Sequence, residues 1–121
     1  MSTLLFVYGT LKRGCCNHGQ LAGQNYVGPA RTTPGYRLYD LGSYPGMIAN
    51  AADCDGVAGE VWSIDAACLR ALDLFEGVPE GLYRREAISL RAPFAHEKIE
   101  TFIYSQSVVR RRAIGSEWID G

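Results

Sequence analysis

Glu76 and the stretch Tyr8-Gly9-Thr10-Leu11 hold the residue types that could do chemistry in this chain. A carboxylate can take a proton from a substrate amine as a general base and, once protonated, return it to a departing group as a general acid. The stretch offers something different. The apolar run Leu4-Leu5-Phe6-Val7 stops at Gly9 and passes into Thr10-Leu11-Lys12-Arg13-Gly14. Successive backbone N–H groups freed from a strand in this way can hold a carboxylate or a developing oxyanion without a charged side chain. Gly9 is expected to adopt backbone angles that would strain another residue.

The acid has a legible setting. Asp65 is placed to cap a helix, Leu69, Leu72 and Phe75 recur at helical spacing, and Gly77 with Pro79 supplies the stop. Glu76 therefore falls in the last turn, where terminal carbonyls carry partial negative charge and are expected to raise the pKa of a partly buried carboxyl. Asp73 competes for the role, but Glu76 is bounded by Gly77, which allows close approach of a ligand or another segment.

Other machineries are excluded by residue content. Gly9 and Gly14 have the spacing of the first two glycines of a P-loop, yet Cys15-Cys16 stand where Lys and Ser/Thr are required. No Gly-x-Ser-x-Gly elbow exists for a serine hydrolase. Cys15, Cys16 and His18 lack paired Cys-x-x-Cys spacing, so no metal site is expected. His18 is read as ordering the loop beside Asn17. The formal net charge of −1 argues against nucleic acid as a partner.

Taken together, Tyr8-Gly9-Thr10-Leu11-Lys12-Arg13-Gly14 with Asn17-His18, and Leu72-Asp73-x-Phe75-Glu76-Gly77-x-Pro79, resemble the gamma-glutamyl cyclotransferase-like superfamily, and its gamma-glutamylamine cyclotransferase branch most closely. Tyr44-Pro45-Gly46, Val57 to Trp62, Tyr83-Arg84-Arg85 and Ile114 to Trp118 match the same pattern, so the resemblance spans nearly the whole chain. It implies a cofactor-independent reaction in which the α-amine of a gamma-glutamyl compound attacks its own γ-carbonyl, giving 5-oxoproline and a free amine or amino acid. It implies Glu76 as the general base and acid. Tyr8, Gly9, Thr10, Leu11 and Tyr83 would line the substrate pocket, with the loop donors on the α-carboxylate or the oxyanion. The leaving group is open at this point. A second reading keeps the pocket without the chemistry, as a binding module for gamma-glutamyl or related acidic metabolites. A third, a protein-interaction domain, rests only on Arg110-Arg111-Arg112, which otherwise reads as a solvated connection.

The elements that must position these groups read as strand, loop with a short helix near His18, strands around Tyr36 to Tyr39 and Met47 to Ala49, a strong strand from Val57 to Ile64, one helix, and two more strands through Ile88 and from Ile99 to Tyr104. Strands with one clear helix and no regular alternation predict an α+β domain. The resemblance implies a small mixed β-barrel flanked by short helices. The chain of 121 residues is expected to form one domain over 1–121. With no apolar run of spanning length and no signal-like N-terminus, a soluble cytoplasmic protein with its four cysteines as thiols is expected. Trp62 and Trp118 are read as packing, and one of Arg84 and Arg85 is expected to face the pocket while the other faces solvent. The sequence sets no oligomeric state.

Overall fold

The computed structural model describes residues 2–119. Eight strands form two sheets: β1 (Ser2–Val7), β2 (Asn25–Arg31), β3 (Tyr36–Asp40), β4 (Pro45–Ala49), β5 (Ala58–Asp65), β6 (Tyr83–Ile88), β7 (Ile99–Tyr104) and β8 (Ala113–Ile114). The larger sheet runs β2-β5-β1-β7-β6 and the smaller β4-β3-β8. One helix, α1 (Ala66–Phe75), and a single 3-10 turn at His18–Leu21 complete the described elements. The sheet is mixed, since β1 pairs antiparallel with β5 and parallel with β7. The α+β class therefore holds, but the two sheets are not hydrogen-bonded into a closed barrel.

Strand β1 sits at the centre of the large sheet, and its period-two alternation feeds two cores. Leu5 and Val7 point to one face and pack with Leu72 of α1, Tyr83 and Phe102. Phe6 points to the other face, where Leu38 and Met47 of the small sheet cover it. Burial of Leu72 alone, which is fully enclosed, contributes on the order of 2 kcal/mol. A strand covered on both faces must be apolar at consecutive positions, which is why Leu4 to Val7 reads as an unbroken run.

Helix α1 forms as its punctuation predicts. The Asp65 carboxylate accepts from the Cys68 N–H at 2.8 Å, and Gly77 stops the helix with φ +70°. Strand β2 went unread in the sequence because Gly28-Pro29 interrupts it. It is the edge of the large sheet, with its register shifted between Tyr26 and Gly28, and an edge tolerates a residue that cannot donate. The short β8 was also unread. Trp62 lies in the first core with its indole N–H on Glu60 at 3.1 Å, and Trp118 packs against the second. Arg112 pairs with Asp40 at 3.1 Å on the surface.

Candidate functional site

Beyond β1 the chain turns sharply, with the Lys12 N–H on the Gly9 carbonyl at 3.1 Å. The carbonyls of the loop are then used up one after another. Thr10 O accepts from the Asn17 N–H at 2.9 Å and Leu11 O from His18 Nδ1–H at 2.9 Å, while Asn17 Nδ2 donates to Thr10 Oγ1 at 2.9 Å. Asn17 and His18 thus hold the loop from behind, and the His18 ring rests against Trp62 at 5.2 Å. The N–H groups of Gly9, Thr10 and Leu11 have no acceptor among the described residues. Thr10 and Leu11 are nonetheless buried. Buried donors of this kind are suited to an acceptor from outside the chain.

Gly9 is required here for a reason other than the one its sequence suggests. Its φ is not positive. Instead, a Cβ at this position would stand 2.9 Å from Pro45 Cγ, so only a glycine lets the loop lie against β4.

Glu76 caps the C-terminus of α1, its N–H bonded to the Leu72 carbonyl at 2.8 Å. Burial pushes its carboxyl up to about 7. The direction agrees with the sequence expectation, and desolvation is its cause. No lysine or arginine forms an ion pair with Glu76 among the described residues.

Tyr8, the residue that follows β1, and Tyr83, the first residue of β6, enter the same space. The Tyr8 hydroxyl donates to the Phe102 carbonyl at 2.6 Å and accepts from the Met47 N–H at 3.3 Å. The Tyr83 hydroxyl donates to the Pro45 carbonyl at 2.7 Å. Burial pushes both phenols well up, and each feels the charge of Glu76, so both stay protonated and close to it. With its proton committed, Tyr83 can offer a ligand only oxygen lone pairs.

These residues line one cavity of about 500 Å³. Glu76, Tyr8, Gly9, Thr10, Leu11 and Tyr83 all face it. Tyr44, Pro45, Phe75, Leu82 and Phe102, to which the sequence assigns no place in the pocket, are among the other residues of the lining. Tyr44-Pro45-Gly46 is visible in the sequence only as a stretch that matches the family pattern; its place against Gly9 is a contact of the folded chain.

Neither Arg84 nor Arg85 lines the cavity, which corrects the expectation for that pair. Arg84 reaches Glu86 on the surface at 2.8 Å. Arg85 is bound by Asp73 and Glu100, which also gives Asp73 a structural partner and takes it away from the site. Among the described residues no three His, Cys, Asp or Glu side chains converge, no disulfide forms, and no helix is long and apolar enough to cross a membrane.

Comparison with known proteins places this geometry among relatives. The family described as gamma-glutamyl cyclotransferase, AIG2-like, matches residues 5–119. A Vibrio cholerae protein whose name assigns it provisionally as a gamma-glutamylcyclotransferase is 41% identical over 107 residues, which cover 88% of this chain and 86% of that protein. The Homo sapiens gamma-glutamylaminecyclotransferase is 35% identical, with 86% of this chain and 78% of that one covered. The crystal structure of an AIG2-like protein from Mus musculus superposes with a TM-score of 0.77 at 25% identity, covering 95% of this chain and 87% of that one.

Proposed function

The chain belongs to the gamma-glutamyl cyclotransferase, AIG2-like family, and from that membership we propose that it converts a gamma-glutamyl compound into 5-oxoproline and a free amine or amino acid, with Glu76 as the proton shuttle. The observation that carries the reading is the half-buried carboxyl of Glu76, raised to about 7, in one cavity with three backbone donors that lack an acceptor among the described residues.

The chemistry follows from that arrangement. The substrate α-amine is an ammonium near neutrality and cannot attack until a base removes a proton. Glu76, poised near neutrality, is matched to that task. The freed nitrogen then attacks the γ-carbonyl carbon, the new C–N bond closes a five-membered ring, and the bond to the leaving nitrogen breaks. Protonated Glu76 delivers the proton that the leaving amine needs. Overall the α-nitrogen loses two protons and the leaving nitrogen gains two, so one ammonium is exchanged for another.

Nucleophile and electrophile share one molecule, so the protein's task is to fold the substrate and stabilise charge. The N–H groups of Gly9, Thr10 and Leu11 receive either the α-carboxylate or the oxyanion. Tyr83 oxygen, an acceptor only, suits the ammonium, and the Tyr8 ring forms the floor. No cofactor enters this scheme. We extend the reading to one domain over residues 1–121, acting in the cytoplasm on a small-molecule substrate.

The test is 5-oxoproline release from L-gamma-glutamyl amines and amino acids by wild type beside Glu76→Gln. Release by wild type alone supports the shuttle. Stabilisation against heat by these compounds with no product would favour the binding-module reading instead.

A further inference from the structure

We propose that Glu60 is a positioning residue for the loop after Tyr8: from β5, outside the cavity, it holds that loop in the place from which its backbone donors reach substrate. The role rests on the cyclotransferase reading, in which the N–H groups of Gly9, Thr10 and Leu11 receive the glutamyl unit.

Glu60 lies level with Val7, where β1 ends and the chain runs on toward the loop. Its side chain is only 12% exposed. Oε1 accepts from the Arg13 N–H at 3.1 Å and from the Trp62 indole N–H at 3.1 Å, and Oε2 accepts from Arg13 Nε–H at 3.3 Å. The first of these is a main-chain contact at the far end of the loop. One carboxylate thus stands beside the strand that the loop leaves and grips the loop where it ends.

The Trp62 indole leads back to the middle of the loop. Holding its N–H fixes the plane of a ring that is 6% exposed and against which His18 rests. His18 in turn donates to the Leu11 carbonyl, which limits the rotation open to the Leu11 N–H across the same Cα. Tyr26 of β2 closes the group, its ring edge-on to Trp62 at 5.4 Å and 3.7 Å below the Arg13 guanidinium. Glu60, Trp62, His18 and Arg13 all lie outside the cavity lining, so their effect on substrate is carried by the loop.

The ion pair with the Arg13 side chain does not account for this arrangement. That side chain is 52% exposed, and surface pairs of this kind contribute little. What Glu60 supplies is an acceptor for two N–H groups that would otherwise lose their partner, and a loop freed at that end can shift its donors away from substrate.

KM and kcat are read from 5-oxoproline release with L-gamma-glutamyl-methylamine and L-gamma-glutamyl-alanine, by wild type, Glu60→Leu and Glu60→Gln, each checked as folded by circular dichroism. Leucine removes every acceptor, so KM is expected to rise about tenfold while kcat stays within about threefold of wild type. Glutamine keeps one oxygen for the Arg13 and Trp62 N–H groups and loses only the charge, so its KM should rise by about threefold. An unaltered KM in folded Glu60→Leu overturns the inference. A loss confined to kcat does the same and leaves Glu60 a role in stability alone. Equal losses in the two variants also overturn it, since the negative charge would then be at work in place of the hydrogen bonds. Should Glu60→Leu fail to fold, Trp62→Phe decides, because it keeps a ring beside His18 and drops the indole N–H. A KM raised by about threefold is then expected, and an unaltered one overturns the inference. Absence of 5-oxoproline from wild type with both compounds overturns the activity, and the inference with it.

Discussion

Arg85 on β6 grips Asp73 on the last turn of α1 with two parallel hydrogen bonds, Nε to Oδ1 at 2.9 Å and Nη2 to Oδ2 at 3.1 Å. Its third nitrogen, Nη1, reaches Glu100 on β7. Asp73 lies one turn before Glu76, so this fork fastens the end of the helix to the sheet face that presents Tyr83. We predict that Arg85→Gln lowers kcat by about tenfold through misplacement of Glu76, with a smaller change in KM. Arg85→Lys should recover only part, because an ammonium cannot reproduce the fork. A folded Arg85→Gln protein with undiminished kcat would reduce the pair to a stability role.

Removing the carboxyl itself is a sharper test. Glu76→Gln should retain the fold, since glutamine fills the same volume, and should lower turnover by about a hundredfold or more, the lower range for a positioned acid-base group. Circular dichroism and product release on the same preparation separate the two effects. An unchanged rate would defeat the mechanism.

The raised carboxyl sets two pH dependences of opposite consequence. As a base, Glu76 must be ionised, so kcat/KM should rise with pH through an apparent pKa near 7. Stability should run the other way. The folded state holds this proton more tightly than the unfolded chain, whose glutamates titrate near the ordinary value of 4.5, so stability should fall as pH rises from about 4.5 to about 7 and stay level above. Glu76→Gln should therefore melt a few degrees above wild type at pH 8, with the gain fading toward pH 4. A constant difference in Tm across this range would contradict the assignment.

Gly9→Ala should be costly although no positive φ is involved. The added methyl would meet Pro45 Cγ at 2.9 Å and Cδ at 3.0 Å, both in a rigid ring. We expect a loss of about 1–3 kcal/mol by overpacking, together with a raised KM as the loop donors shift. Thermal melting and initial rates check the two parts. A silent substitution would mean that the loop and β4 can separate freely.

How much of this was legible in the sequence depends on which interactions are local. The end of α1 was readable because Asp65, Gly77 and the Leu72 spacing act within a few residues of one another. The loop after Tyr8 was readable as a source of donors for the same reason. Non-local relations were hidden. Nothing in Gly9 announces Pro45, nothing in Arg85 announces Asp73, and Gly28-Pro29 conceals β2 because only its place at a sheet edge makes those residues acceptable. The tyrosines show the same division. Their presence at the cavity follows from resemblance, whereas the commitment of both hydroxyl protons to carbonyls on other strands required the folded chain.

Tyr8 has a further consequence. Its hydroxyl donates to Phe102 on β7 and accepts from Met47 on β4, so the ring that floors the cavity also rivets one sheet to the other. The cavity cannot outlast the parting of the sheets, and the sheets cannot part without breaking its floor. Catalytic competence should thus behave as a reporter of global cooperativity: in a urea titration, loss of turnover and loss of tertiary signal should follow one sigmoid, with no compact but inactive species between them.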